Sequence, residues 1–346
     1  MTNAESCLAY LLHLRRSLSG LALVVLLSLV LLSLPIGNLT AAPTPVILRA
    51  VTAWVRTDDI QNRGFVMFKD MVERRTGRSV QIQWLGGPEI VPPFELGEAV
   101  RRGLVDLAWV SAAYYLPGLP EAAVFDYSEL SPQEERTSGA FEYINRIHQQ
   151  KMNVYVLGRA PGYGYSIYTI PAVEKVSDFR GLRIRVSPVY VPFVRALGAT
   201  PVVMPGGEIY PALERRVIDG FTWPEIGIRV LKLDEVIKHK IYPSYWQVDI
   251  VNLVNLDRWR QLPKDVQVAL LEASLQLERE LPRVFSSLLE EENAALRSKG
   301  IRIVRLTGSE AARYLELSRT AAWQWVRENV KDDPEKLIRM FSKRRR

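Results

Sequence analysis

The chain has 346 residues, 48% of them hydrophobic and 24% charged, with a formal net charge of +7. That length suits two domains with cores of their own, and the balance is that of a globular protein rather than a disordered or fibrous one. One cysteine and three histidines exclude a disulfide scaffold and leave little material for thiolate zinc sites, cysteine nucleophiles or histidine triads.

Near the amino terminus Arg15-Arg16 precede an uncharged run from Leu21 to Ile36, and small residues follow in Asn38-Leu39-Thr40-Ala41-Ala42-Pro43. A basic stretch, an apolar stretch and a small-residue cleavage zone describe a secretory signal over residues 1–42. The run is also long enough to be kept as a membrane anchor. Cys7 lies before it, whereas a lipid-anchored precursor carries its cysteine after it, so no lipoprotein is read. Without Cys7 the exported chain has no cysteine, which suits a bacterial envelope protein held by packing alone. Its remaining charge is positive and dispersed, which favours anions; nucleic acid is not expected as a partner. His148 and His239 read as solvated surface residues, and Lys343-Arg344-Arg345-Arg346 as a solvated tail, with a membrane-surface role as the alternative.

Val46 to Trp54 reads as a strand, followed by a helix from Phe65 to Arg75 that stops at Gly77. Val80 to Leu85 alternates as a second strand and ends at Gly86-Gly87-Pro88. Phe94 to Arg102 is a short helix, and Val105 to Val110 an apolar strand of the kind covered on both faces. This order predicts a mostly parallel α/β sheet, whose ligand sites lie beyond the carboxyl ends of its strands. Trp54, Gly86-Gly87-Pro88 and Ser111 to Tyr115 then surround one mouth.

A polar helix over Pro132 to Gln150 and a strand over Asn153 to Leu157 lead into the glycine- and tyrosine-rich segment Gly158 to Tyr165, read as a hinge or crossing. A second α/β set follows. Tyr165 to Ile170 and Leu182 to Val186 are strands, with Arg183 and Arg185 on one face of the latter, opposite Leu182, Ile184 and Val186. Such a polar face either meets water or presents guanidinium donors to a carboxylate in a cleft. A helix from Ser187 to Gly198, a strand from Thr200 to Met204, a helix from Gly207 to Val217 and a strand from Ile218 to Trp223 come next. Ile241 to Leu256 looks like one long strand that crosses back. Lys264 to Lys299 is a long amphipathic helix with Pro282 as its kink. Ile301 to Leu306 is the last strand, before helices over Ala311 to Val330 and Glu335 to Phe341.

The segments Gly181–Val186, Leu197–Val202, Gly206-Gly207-Glu208-Ile209-Tyr210-Pro211-Ala212-Leu213-Glu214 and Val217-Ile218-Asp219-Gly220 resemble, in that order, the solute receptors of tripartite ATP-independent periplasmic (TRAP) transporters of the C4-dicarboxylate-binding type. Gly86-Gly87-Pro88-Glu89, Gly103–Ala108 and Leu262–Gln267 extend the likeness over nearly the whole exported chain. The look is closest to the 2-keto acid and lactate receptors. The resemblance implies an α/β, class II-like periplasmic-binding-protein clamshell of two domains, with a long kinked helix spanning both. Domain I would be residues 43–160 with a return over roughly 250–290, and domain II residues 161–249 completed by roughly 291–346. It implies that Arg185 forms a bidentate pair with a ligand carboxylate, the competing reading being an internal salt bridge, and that Arg183 is solvated or structural.

Many relatives carry asparagine where Trp223 stands, and an indole there would pack on a small apolar substituent, unless it only fills the core. Monocarboxylate receptors of this kind can hold their ligand through a bound cation between two glutamates. Thr222 and Gln247 stand in those places and offer only neutral oxygens, so no cofactor is expected and a bridging cation is the minority reading. Tyr165 lies where sialic-acid receptors place a second arginine. Trp54, Tyr114, Tyr163 and Trp246 are further candidate pocket walls, with core packing as an equal alternative.

The resulting expectation is an exported, non-enzymatic receptor for a small organic acid, a monocarboxylate such as a 2-oxo or 2-hydroxy acid, which closes on its ligand and docks on a TRAP-type membrane permease. A dicarboxylate, aromatic or sugar acid is the alternative ligand. A membrane-tethered sensor and an enzyme on the same scaffold are the alternative classes. Ala311 to Phe341 would either pair two copies or pack within one, so monomer and homodimer both stand.

Overall fold

Two mixed sheets organise the computed structural model, which describes residues 45–343 except 161, 162 and 249. The signal or anchor expected over residues 1–42, and the last three arginines, lie outside the described residues. The first sheet holds β1 (Val46–Thr52), β2 (Val80–Gly86), β3 (Leu107–Ser111), β4 (Val154–Ala160) and β10 (Ile250–Asn255), in the order β2-β1-β3-β10-β4. The second holds β5 (Gly164–Thr169), β6 (Arg183–Val186), β7 (Thr200–Val203), β8 (Gly220–Pro224), β9 (His239–Gln247) and β11 (Arg302–Arg305), in the order β11-β9-β5-β8-β6-β7.

Each sheet has a parallel part built from strand–helix–strand units, β2-β1-β3 and β8-β6-β7. Each also has antiparallel partners added where the chain changes sheets. The chain passes from the first sheet to the second between Ala160 and Gly164, and back between Gln247 and Ile250. The single long strand expected over Ile241 to Leu256 is therefore two, because its halves pair in different sheets. That alternation of sheets is what makes both sheets mixed rather than mostly parallel.

The helix Arg63–Arg75 buries Phe65, Phe68, Met71 and Val72, an i, i+3, i+6, i+7 stripe, and ends before Gly77 at φ 53°. The expected helix over Pro132 to Gln150 is two, Pro132–Thr137 and Ala140–Met152. Gly139 takes a left-handed φ of 78° between them. The 35-residue helix Lys264–Ser298 buries a ridge of Val266, Leu270, Ala273, Leu277, Leu281 and Phe285, and Leu288, expected to continue that ridge, is only half-buried. It packs against β4 and helix Arg63–Arg75, and its far end reaches β11, so it spans both sheets. Pro282 sits inside it and cannot donate to the carbonyl four residues earlier. Gly158 is not a pivot but a point of close approach: a Cβ there would stand 2.3 Å from Ser274 Oγ on that helix. The carboxyl-terminal helices Gly308–Asn329 and Pro334–Phe341 bury Tyr314, Ala322, Trp323, Val326, Leu337 and Phe341 within the chain.

His148 corrects an expectation. It is fully buried, with Nε2 3.1 Å from the Tyr115 hydroxyl and Nδ1 2.8 Å from the Ile144 carbonyl oxygen, and burial lowers its pKa to about 4. Its neighbours Ile144, Asn145 and Met152 form the inner face of a helix whose outer face is polar, and that outer face dominated the sequence pattern. His239 is half-buried, with Nδ1 3.2 Å from the Ile170 carbonyl oxygen.

Candidate functional site

Four strand ends meet at one small cavity. Trp54 follows β1, Tyr114 follows β3, Ser187 follows β6, and Trp223-Pro224 close β8. Arg185 and Tyr165 complete the wall from inside β6 and the start of β5, and Gln61 enters from the turn before helix Arg63–Arg75. The cavity therefore lies between side chains of the first sheet and side chains of the second. Its volume is only about 10 Å³. That is room for about one water, so the lips are closed on each other.

The two arginines of β6 share a face but not an environment. Arg183 is partly exposed and grips Asp219 twice, Nε to Oδ2 at 3.0 Å and Nη2 to Oδ1 at 2.8 Å. The same pattern recurs in the first sheet, where Arg49 grips Asp106 with Nε to Oδ2 at 3.0 Å. Arg185 is 1% exposed. Its Nε donates to the Met204 carbonyl at 2.9 Å and its Nη1 to the Thr222 carbonyl at 3.3 Å. Its Nη2 has no hydrogen-bond partner among the described residues, and no carboxylate there forms an ion pair with it. Burial lowers its pKa, opposed by the neighbouring Tyr114 and Tyr165 hydroxyls. A guanidinium edge left unsatisfied in so dry a place has the chemistry to pair with an anion.

Aromatic groups hold this edge. The Arg185 guanidinium carbon lies 5.6 Å from the centroid of the Trp223 ring, within cation–π range. Trp223 is 3% exposed and belongs to the smaller hydrophobic core with Ile209, Leu213 and Phe221. It thus both fills a core and walls the cavity, and its Nε1 has no partner among the described residues. Trp54 and Tyr114 pack at 6.1 Å, and Tyr165 packs on Tyr190 at 4.6 Å. Burial raises the Tyr114 pKa, with the Arg185 charge as the main opposing influence.

Trp246 and Gln247 stand apart from this group and correct the expectation that they share its pocket. They line, with Tyr163, Gly164, Arg279 and Arg283, a separate and larger open groove of about 960 Å³. The register of β5 on β9 shifts at Gly164/Tyr165 and again before Ile167, and Trp246 takes a left-handed φ of 44°. Those irregularities turn Tyr245 inward and Gln247 outward, and leave Trp246 half-buried on Tyr127, Tyr190 and Phe193. Thr222 pairs with Ile167 and Gln247 with Gly164, on opposite sides of β5. Three residues of strand, about 10 Å, separate the two rungs, so Thr222 and Gln247 do not converge and the donor set for a bridging cation is not assembled. Among the described residues no cluster of three or more His, Cys, Asp or Glu side chains forms a metal site.

Gln61 had no signal in the sequence, since a lone glutamine in a turn carries no pattern. Asp58 precedes it, 1% exposed, and accepts from the Gln61 N–H at 2.9 Å. Burial, reinforced by Asp59, lifts the Asp58 carboxyl to about 6.

Residues 51–328 match the family model described as bacterial extracellular solute-binding protein, family 7. A C4-dicarboxylate-binding periplasmic protein, DctP, of Rhodobacter capsulatus is 26% identical over 92% of this chain and 93% of its own length. A monocarboxylate 2-oxoacid-binding periplasmic protein of a Nostoc strain is 26% identical over 74% of this chain and 72% of its own. Among solved structures, a TRAP periplasmic solute-binding protein of Desulfovibrio salexigens with bound orotic acid superposes with a TM-score of 0.78, covering 85% of this chain and 97% of that one at 19% identity. A Bordetella pertussis extracytoplasmic solute receptor binding pyroglutamic acid gives 0.75, covering 86% and 99% at 16% identity. These relatives are binding proteins rather than enzymes, and no helix among the described residues is long and apolar enough to cross a membrane. The chain belongs to the bacterial extracellular solute-binding proteins of family 7, with the two-sheet clamshell fold of TRAP periplasmic receptors.

Proposed function

We propose that the chain is an extracytoplasmic receptor that holds the carboxylate of a small organic acid on Arg185 and delivers the acid to a TRAP-type membrane permease. The observation that carries this reading is the buried Nη2 edge of Arg185, unpartnered among the described residues in a cavity between the two sheets. A carboxylate accepts what that edge offers, and the Trp223 Nε1 is a second donor beside it. With Arg185 as the single cation among its lining residues, and Trp54, Tyr114, Tyr165 and Trp223 as walls, the cavity favours a monocarboxylate such as a 2-oxo or 2-hydroxy acid. The 2-oxoacid-binding name of the Nostoc relative, and the orotic and pyroglutamic acids of the two solved neighbours, favour small acids as a class.

A dicarboxylate is the weaker reading, despite the DctP relative. Tyr165 rather than a second cation faces Arg185, and a second buried carboxylate would lack a counter-charge. Because the closed cavity admits about one water, loading requires the lips to part and closure to follow binding.

The test is a thermal-shift screen of the exported chain against monocarboxylates, dicarboxylates, sugars and amino acids. Small monocarboxylates are expected to raise the melting temperature, and Arg185→Ala to abolish the rise. Stabilisation by sugars or amino acids alone overturns the reading.

A further inference from the structure

We propose that Gln61 reads the substituent next to the ligand carboxylate and selects 2-hydroxy acids over the matching 2-oxo acids. This rests on Arg185 holding the carboxylate.

Gln61 is 1% exposed and lines the same cavity as Arg185, Ser187 and Trp223. Its backbone is pinned from both sides. The N–H donates to Asp58 Oδ1 at 2.9 Å, and the carbonyl accepts from the Trp109 indole Nε1 at 2.8 Å. Neither Nε2 nor Oε1 completes a well-formed hydrogen bond among the described residues, whichever way the amide is turned. The buried Tyr163 hydroxyl lies beside the amide, which partly offsets the burial that raises the phenol's pKa, but it too completes no well-formed hydrogen bond there. From the second sheet's side, Gly227 closes against the amide, and a Cβ there would stand 3.3 Å from Gln61 Nε2. The amide is therefore held at the seam of the two lips.

A buried amide with neither donor nor acceptor satisfied is unfavourable, and the cavity leaves room for about one water to relieve it. The bound ligand must supply the partners. The two ends of the cavity ask for different chemistry. Arg185 Nη2 and Trp223 Nε1 are donors only and suit a carboxylate. Gln61 offers one donor and one acceptor side by side. A hydroxyl answers both, accepting from Nε2 and donating to Oε1. A keto oxygen only accepts, and leaves Oε1 buried and unpaired. A site built to hydrogen-bond a hydroxyl rejects the analogue that lacks one. The penalty for one buried unsatisfied group corresponds to roughly 5- to 140-fold in affinity.

The test is calorimetric titration of the exported chain with matched pairs: lactate and pyruvate, 2-hydroxybutyrate and 2-oxobutyrate, 2-hydroxyisovalerate and 2-oxoisovalerate. The hydroxy member is expected to bind about 5- to 140-fold tighter in each pair. Gln61→Leu should erase that preference while leaving the melting temperature of the empty protein equal or higher, and Tyr163→Phe should leave the preference intact. Equal or tighter binding of the oxo acids by the unaltered chain overturns the proposal, as does a preference that survives Gln61→Leu. Loss of both members of every pair in Arg185→Ala shows the carboxylate reading sound whatever the preference. If neither member of any pair binds the unaltered chain, this proposal falls, while the carboxylate reading is decided separately by the thermal-shift screen.

Discussion

Among the described residues two arginines are almost fully buried, Arg159 and Arg185, and replacing each with methionine should have opposite consequences. Arg159 pairs with Glu135, itself fully buried, through Nε to Oε2 at 3.0 Å and Nη2 to Oε1 at 2.8 Å. Arg159→Met strands that carboxylate, and breaking a buried pair costs about 3–5 kcal/mol. Arg185 has no such carboxylate among the described residues. Arg185→Met gives up two hydrogen bonds to carbonyls, at 2.9 and 3.3 Å, which contribute about 1–3 kcal/mol between them. The same change removes a desolvated cation, a gain of similar or larger size. The empty protein should therefore change by less than about 2 kcal/mol in either direction. Ligand affinity should fall by about 2–5 kcal/mol, or 30- to several-thousand-fold. Urea unfolding of both variants without ligand, and calorimetric titration of Arg185→Met, measure the two quantities. A loss of 3–5 kcal/mol for empty Arg185→Met, with ligand affinity intact, would refute the reasoning and make Arg185 a structural group like Arg159.

Gly206→Ala would place a Cβ 2.7 and 2.8 Å from Trp223 Cη2 and Cζ3, so the indole must shift. Ligand affinity should drop while the fold holds, and titration calorimetry with circular dichroism checks both. Asp58 gives a pH signature. Its folded pKa of about 6 lies above the ordinary 3.8, so the stability it contributes is full below 3.8 and lost as pH rises through 6. Asp58→Asn should therefore gain about 3 kcal/mol on the unaltered chain between pH 4 and pH 7. His148 runs the other way: its folded pKa is lowered to about 4, so its contribution is lost as pH falls from 6.5 through 4. In Asp58→Asn the fall in stability on acidification to pH 4 should stand out, where in the unaltered chain the two slopes offset each other. A denaturation series at four pH values decides it, and parallel curves for the two proteins would contradict the burial of Asp58.

The parallel strands, their helices and the long helix were legible because each carries a local period: alternation in Val80–Gly86, a helical ridge from Val266 to Phe285, a stop glycine at Gly77. The unequal fates of Arg183 and Arg185 were not legible from alternation, which puts both on one face; Asp219, thirty-six residues on, separates them. The sheet change within Ile241 to Leu256 and the outward turn of Gln247 escaped because register shifts and a left-handed φ are set by tertiary pairing, not by composition. His148 and Gln61 escaped for a related reason. Each lies in a polar neighbourhood along the chain and an apolar or closed one in space, and only the fold brings Tyr115 to the one and Gly227 to the other.

The twin clasps Arg49–Asp106 and Arg183–Asp219 have a use beyond tying neighbouring strands. Each fastens the point where a strand begins, Asp106 just before β3 and Asp219 just before β8, while the strand's other end carries the cavity wall. The fold is thus stitched at one rim of each sheet and tailored at the opposite rim. Trp54, Tyr114 and Trp223 all lie at the rim away from the stitching, so the lining can change without touching either clasp. The two solved receptors keep this backbone with only 19% and 16% of this chain's residues, one with bound orotic acid and the other binding pyroglutamic acid.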